Sequence, residues 1–90
     1  MLKILIVDDE PLARNRLASL IGELPEKHRL SEAEHGLDAL EKIQREIPDI
    51  VLLDIRMPVM DGLEVAHHLA GMDHPPAVLF TTAYQDHALE

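Results

Sequence analysis

The sequence predicts an α/β fold with a parallel sheet, because short aliphatic runs alternate with segments of helical periodicity. Residues 2–7 and 50–53 are rich in Ile, Leu and Val, as is typical of strands covered on both faces. Apolar residues recur at helical spacing after each run. Since the chain has no repeat and no linker, the alternation implies one domain over residues 1–90 with right-handed crossovers.

The first half of the chain contains two predicted strand-helix units. Residues 2–7 form the first strand, Pro11 suits a first helical turn, and Pro25 ends the first helix. Residues 30–34 are a polar strand candidate for a sheet edge, and Gly36 precedes a second helix that Pro48 ends. The apolar stripes that these helices are expected to bury are Ala13, Leu17, Leu20, Ile21 and Leu24 in the first, and Leu37, Leu40, Ile43 and Ile47 in the second.

The second half continues the alternation. Residues 50–53 are four consecutive aliphatics between two Asp residues, which predicts a central strand. A third helix is expected from Gly62 to Gly71, and Pro75 and Pro76 lead into a fourth strand over residues 77–82. Residues 84–90 are expected to begin a fourth helix.

Composition excludes several functional classes. The formal net charge of −9 opposes direct nucleic-acid binding, which depends on clustered Lys and Arg. The chain has no Cys for disulfides or thiolate metal sites, and its six His residues lack ligand spacing. No apolar run approaches the roughly 20 residues that span a bilayer. We therefore expect a cytoplasmic protein without a membrane partner.

Acidic side chains follow two predicted strands, at the edge where parallel α/β sheets bind ligands. Asp8 and Asp9 end the first strand, Asp54 ends the third, and Thr82 lies at the end of the fourth. Close carboxylates raise one another's pKa, and a hard divalent cation such as Mg²⁺ relieves the repulsion. A carboxylate beside that ion can act as a nucleophile and form an acyl phosphate.

Each acidic motif also has an ordinary structural explanation. Asp8 and Asp9 alone could cap and charge the first turn of a helix. Asp54 alone could be a turn residue, and Asp61-Gly62 alone is a common turn sequence. Their joint spacing favours a magnesium-dependent phosphoacceptor site.

Several separated motifs together carry a resemblance that covers the chain from residue 1 to residue 90. They are Ile4-Leu5-Ile6-Val7-Asp8-Asp9-Glu10, Asp54-Ile55-Arg56-Met57-Pro58 with Asp61-Gly62, and Thr82-Ala83. In order and spacing the chain resembles the receiver domain of two-component response regulators. The stretches at residues 8–14 and 81–90 further resemble regulators with a LytTR DNA-binding domain, the group of the alginate biosynthesis regulator.

The resemblance implies a role for each site residue. Asp54 would accept a phosphoryl group from a sensor histidine kinase. The side chains of Asp9 and Asp54 and the Arg56 carbonyl would ligate Mg²⁺, and Asp8 would assist. Thr82 would hydrogen-bond the phosphoryl oxygen and report phosphorylation to an output domain that controls transcription.

The resemblance also implies that Pro58 and Gly62 shape the loop over the site and that the chain is not an enzyme. By analogy with the family, exposed Arg14, Asn15 and Ala18 would contact the kinase.

The chain departs from the receiver pattern because it ends before the fifth strand and last helix, which carry the family's Lys and switch aromatic. We therefore expect a flavodoxin-like, doubly wound parallel sheet that stops after strand four, with strand order 2-1-3-4. An exposed fourth strand would favour a homodimer or segment exchange. The chain is also expected to be a fragment of a longer regulator, and this expectation is compatible with a dimer.

Two alternatives to a phosphorylation switch stay open. One is a pseudo-receiver, an interaction module that keeps the acidic site but does not switch. The other is a magnesium-dependent aspartyl-phosphate phosphatase of the haloacid dehalogenase type. Spacing opposes the phosphatase, because Asp8 and Asp9 are adjacent and Asp54 lies far along the chain.

Overall fold

The structure is a computed structural model that describes residues 1–81. Over this range strands and helices alternate from the first strand to the last, as the sequence predicts. The elements are β1 (Lys3–Val7), α1 (Pro11–Gly22), β2 (Arg29–Ala33), α2 (Gly36–Arg45), β3 (Ile50–Leu53), α3 (Gly62–Ala70) and β4 (Ala77–Phe80).

All four strands form one parallel sheet in the order β2-β1-β3-β4, which confirms the predicted topology. Strands β1 and β3 are interior, so both lie between two hydrogen-bonded neighbours. Their register pairs Val7 with Leu53, which brings the carboxyl ends of both strands level at one edge of the sheet. The residues that follow Val7 and Leu53 are therefore close neighbours in space.

The core lies between one face of the sheet and helices α2 and α3. Alternate residues of β1 and β3 point to this face, as the period of a strand requires. The buried core cluster consists of Leu5, Val7, Ala33, Ala39, Ile43, Val51, Leu53, Met57, Val65 and Leu69. This packing explains why α2 and α3 are amphipathic. Ile4 and Ile6 of β1 are also buried but do not belong to this cluster, so β1 is covered on both faces and is aliphatic on successive residues.

Helix α1 differs from its predicted burial. It lies against β1 and ends at Gly22, three residues before Pro25, and none of its residues is buried. Helices α2 and α3, which contribute to the core cluster, lie on the opposite face of the sheet. The apolar stripe of α1 is therefore only partly covered within the described range: Leu17 and Ile21 are half-buried, whereas Leu20 and Leu24 are exposed.

The remaining differences from the predicted boundaries are small. Strand β1 begins at Lys3 instead of residue 2, β2 is shifted by one residue, and α2 ends at Arg45. Two residues of the predicted α2 stripe, Leu37 and Ile47, are exposed. Strand β4 is assigned up to Phe80. Thr82 and the helix expected over residues 84–90 lie outside the described residues. None of the helices within residues 1–81 combines the length and apolarity that a bilayer span requires.

Candidate functional site

Three carboxylates meet at the carboxyl ends of the two central strands. Asp8 and Asp9 follow β1 and Asp54 follows β3. One carboxylate oxygen from each lies within 4.8 Å of the others. Because β1 and β3 are parallel neighbours in register, the fold itself brings together acids that are far apart in sequence.

Asp8 is held by its backbone and its side chain. It is buried, its N–H donates to the Ala33 carbonyl at 3.1 Å, and its Oδ1 accepts from the Glu10 N–H at 2.9 Å. Its carbonyl accepts from Nη1 of Arg14 at 2.7 Å. Asp8 therefore forms part of the turn into α1, and the N-cap position itself belongs to Glu10, which makes no side-chain cap.

Asp54 is as deeply buried as Asp8, with 6% of its surface exposed. Its N–H donates to the Val7 carbonyl at 3.0 Å, and its Oδ1 accepts from the Arg56 N–H at 3.2 Å. Burial, followed by the negative charge of Asp8, raises the pKa of Asp54 from 3.8 to about 6, against the opposing hydrogen bond from Arg56. The Asp54 carboxylate is therefore a stronger base than an ordinary aspartate in the folded protein.

The three acids fit a hard divalent cation. Carboxylate oxygens are the ligands that Mg²⁺ and Ca²⁺ prefer, and a cation would offset the repulsion that raises the pKa of Asp54. Asp9 is exposed, which leaves one side of the cluster accessible to solvent. Magnesium sites commonly use a few carboxylates and keep waters for phosphate oxygens. The donor set is thus suited to Mg²⁺.

Gly62 lies directly against the backbone of Asp54. A Cβ at this position would be 2.2 Å from the Asp54 carbonyl oxygen and 2.8 Å from Cα of Ile55. The Gly62 N–H donates to the Ile55 carbonyl at 2.8 Å, which closes the loop onto the end of β3. Gly62 has no positive φ, so this position requires glycine because of the close approach of two backbones and not because of unusual backbone angles.

The loop between β3 and α3 contains a strained turn at Val59. Val59 has φ 71°, and the Met60 N–H donates to the Pro58 carbonyl at 2.8 Å, which makes a γ-turn of the rare positive-φ kind. Met60 then packs against α2, since a Cβ on Gly36 would lie 3.0 Å from its side chain. No sequence signal marks this turn, because β-branched residues rarely adopt positive φ.

The other predicted site residues lie in the loop after β3, in α1 or outside the described residues. Arg56 follows Asp54 in the loop after β3, and its role as a carbonyl ligand stays a prediction, as do the roles of Asp8, Asp9 and Asp54. Thr82 lies outside the described residues. The expectation of an exposed Arg14 is wrong: its side chain is 16% exposed and bonds internally to Glu32 and to Asp8.

The two other helix residues expected at a kinase interface lie on different surfaces. Asn15 is exposed, whereas Ala18 is half-buried. Residues of α1 that repeat every three or four positions share one face, and Ala18 lies four positions after Arg14, on the partly covered side. Of the three, only Asn15 therefore retains the exposure that was expected.

Sequence comparisons match this arrangement to known regulators. Residues 4–90 match the model of the response regulator receiver domain family. The chain is 55% identical over 91 residues to the positive alginate biosynthesis regulatory protein of Pseudomonas aeruginosa, covering 99% of the chain and 36% of that protein. It is 46% identical over 90 residues to the sensory transduction protein LytT of Bacillus anthracis, covering 100% of the chain and 37% of that protein. The chain thus spans little more than a third of these relatives.

Solved structures give the same result. The response regulatory domain of protein mrkE from Klebsiella pneumoniae superposes with a TM-score of 0.82 at 34% identity, covering 97% of this chain and 71% of that one. The N-terminal domain of a response regulator receiver protein from Methanoculleus marisnigri superposes with a TM-score of 0.83 at 32% identity, covering 92% of this chain and 68% of that one.

These comparisons agree with the strand order and with the LytTR-type resemblance of the sequence. The matched family is the receiver domain of response regulators, and the relatives are described as regulatory proteins. This chain belongs to the response regulator receiver domain family of two-component systems.

Proposed function

We propose that this chain is a phosphorylation-controlled switch in which Asp54 accepts a phosphoryl group from a sensor histidine kinase. The observation that carries the proposal is the cluster of Asp8, Asp9 and Asp54, with one oxygen of each within 4.8 Å of the others. A buried acid of raised pKa beside two further carboxylates is unfavourable for stability, which indicates a functional reason for keeping it.

The proposed chemistry is nucleophilic displacement at phosphorus. An oxygen of the deprotonated Asp54 carboxylate forms the new O–P bond while the P–N bond to the kinase histidine breaks, and the electron pair leaves on the imidazole nitrogen. The Arg56 N–H fixes the rotation of the carboxylate through Oδ1. Mg²⁺ held by Asp8, Asp9, Asp54 and the Arg56 carbonyl would supply positive charge for the phosphoryl oxygens. The chain's own residues orient the nucleophile.

The proposed output lies outside this chain. Related proteins are described as a positive alginate biosynthesis regulatory protein and as transcriptional regulatory protein LytR, of which the chain covers little more than a third. We propose residues 1–90 as the receiver portion, with Thr82 as the hydroxyl residue that responds to the phosphoryl group and a LytTR domain as the DNA-binding part. A net charge of −9 agrees with DNA contact being made elsewhere.

Two further expectations remain proposals. The lack of cysteine is compatible with a reducing compartment such as the cytoplasm. A homodimer through the β4 edge has no support from the comparisons, although Leu79 and Phe80 are 56% and 45% exposed. Light scattering at micromolar concentration tests the homodimer, because a monomer mass contradicts it.

The experiment that tests the switch is intact mass spectrometry after incubation with acetyl phosphate, with Mg²⁺ or with EDTA. We expect one hydroxylamine-labile phosphoryl adduct that requires Mg²⁺ and is absent from Asp54→Asn. Asp73→Asn is the matched control, because Asp73 is exposed in the loop after α3 and should leave the adduct unchanged. A folded wild-type chain without any adduct favours the pseudo-receiver, and turnover of an added phosphomonoester favours the phosphatase.

A further inference from the structure

Arg14 connects the metal-site turn to the edge strand of the sheet. Its Nη1 donates to the Asp8 carbonyl at 2.7 Å, and its Nε donates to Oε1 of Glu32 at 2.9 Å. The side chain of Arg14 is 16% exposed and that of Glu32 is 41% exposed, so the interaction is shielded from solvent at its Arg14 end. A surface ion pair of this kind would contribute little, whereas a shielded two-point contact restricts both partners.

Glu32 is itself held from the opposite side. Lys42 of α2 donates its Nζ to the Glu32 carbonyl and pairs with Asp38 at 3.5 Å. Strand β2 is thus fixed at Glu32 by a cation from α2 on its backbone and by Arg14 on its side chain. Arg14 therefore contacts a residue whose backbone is itself bonded to α2.

The atom that Arg14 contacts controls the direction of two acidic side chains. The Asp8 carbonyl belongs to the planar peptide unit that joins Asp8 to Asp9, so its orientation sets how both side chains leave the backbone. The other end of Asp8 is fixed by its N–H bond to Ala33 at 3.1 Å. Asp9 is exposed, and the same peptide unit sets the direction in which its backbone leaves Asp8.

We propose that Arg14 is a positioning residue for the divalent cation, acting through the Asp8-Asp9 peptide, and that Glu32 acts only through Arg14. This inference rests on the proposed magnesium site. A lysine at position 14 cannot reproduce the two contacts of Arg14, because a single ammonium lacks the planar pair of donors that reaches Glu32 and the Asp8 carbonyl together.

The test is Mg²⁺ binding by isothermal titration calorimetry on the full chain, with folding checked by circular dichroism. We expect Arg14→Lys to weaken Mg²⁺ affinity at least about fivefold, the scale of one lost charged hydrogen bond, and Glu32→Gln to weaken it about two- to threefold. The double variant should be no weaker than Arg14→Lys alone, because Glu32 acts through Arg14. Arg16→Lys, an exposed position on the same helix, is the control and should change affinity by less than about 1.5-fold.

The outcomes separate this inference from the function on which it rests. Unchanged Mg²⁺ affinity in folded Arg14→Lys, or additive losses in the double variant, overturns the positioning role and leaves the metal site intact. A wild-type chain that binds no Mg²⁺ overturns both. If Arg14→Lys does not fold, Glu32→Gln decides, because it removes the negative charge that orients Arg14, and an affinity equal to wild type then contradicts the proposal. A merely structural role would lower the unfolding temperature without changing the affinity of the folded protein.

Discussion

The backbone of Gly62 touches the backbone of Asp54 so closely that no side chain fits between them. A Cβ on Gly62 would lie 2.2 Å from the Asp54 carbonyl oxygen, and the obstructing atoms belong to the backbone. The start of α3 therefore fixes the end of β3, which is the segment that carries the proposed phosphoacceptor.

The first prediction follows from this contact. Gly62→Ala should lower the free energy of unfolding by about 2–4 kcal/mol, because either α3 or the end of β3 must shift to admit the methyl group. It should also reduce phosphoryl transfer from acetyl phosphate. Urea denaturation and intact mass measure the two effects.

Gly22 provides the control for Gly62. A Cβ at Gly22 meets no atom within 4 Å, and the residue closes α1. Gly22→Ala should therefore be neutral or stabilising by up to about 1 kcal/mol, since alanine is the better helix former. Equal effects of the two substitutions would contradict the steric explanation.

The second prediction concerns Asp54 and pH. Since the folded pKa is raised from 3.8 to about 6, the folded state binds more protons than the unfolded state between these values. Without metal, the free energy of unfolding should therefore fall by at most roughly 3 kcal/mol as pH rises from about 4 to about 6. It should stay at this lower value at higher pH.

Asp54→Asn removes this titration and isolates its effect. We expect the variant to be more stable than wild type by about 1–3 kcal/mol at pH 8 without metal, and equal to it near pH 4. Saturating Mg²⁺ should reduce the difference in stability between Asp54→Asn and wild type, because it stabilises wild type. Denaturation at both pH values measures this, with exposed Asp73→Asn as control. A variant less stable than wild type at pH 8 would contradict the claim that burial and the charge of Asp8 destabilise the ionised Asp54.

The third prediction addresses the γ-turn at Val59. This side chain is 95% exposed and has φ 71°, so it contributes strain without burying apolar surface. Val59→Gly should stabilise the fold by about 0.5–1 kcal/mol, because relief of backbone strain exceeds the added entropy of the unfolded chain. Val59→Ala keeps a Cβ at positive φ and should stay within about 0.5 kcal/mol of wild type. Chemical denaturation measures this, and a Val59→Gly variant that is less stable than wild type would contradict the proposed strain at Val59.

Sequence reasoning succeeded where local pattern and tertiary structure agree. Strand β3 was predicted with its observed ends, because its aliphatic run between Asp49 and Asp54 is unambiguous, and α3 begins at Gly62 as expected. Parallel pairing then brings Asp8 and Asp54 together, which the strand-helix alternation was sufficient to predict.

Sequence reasoning failed where the outcome depends on long-range contacts. The apolar residues of α1 predicted a buried face, but periodicity does not show how much of a helix surface its neighbours cover. Arg14 was expected on the surface, since nothing in its local sequence reveals Glu32 across the sheet edge. The positive φ of Val59 opposes the intrinsic preference of valine, so only the folded loop could show it.

The most direct test of the central claim is to locate the phosphoryl group after reaction with acetyl phosphate and Mg²⁺. Borohydride reduces an acyl phosphate of aspartate to homoserine, and trypsin separates residues 4–14, which hold Asp8 and Asp9, from residues 46–56, which hold Asp54. We predict homoserine at position 54 alone. Homoserine at position 8 or 9, or none in a folded chain with Mg²⁺ bound, would contradict the assignment of Asp54 as the phosphoacceptor.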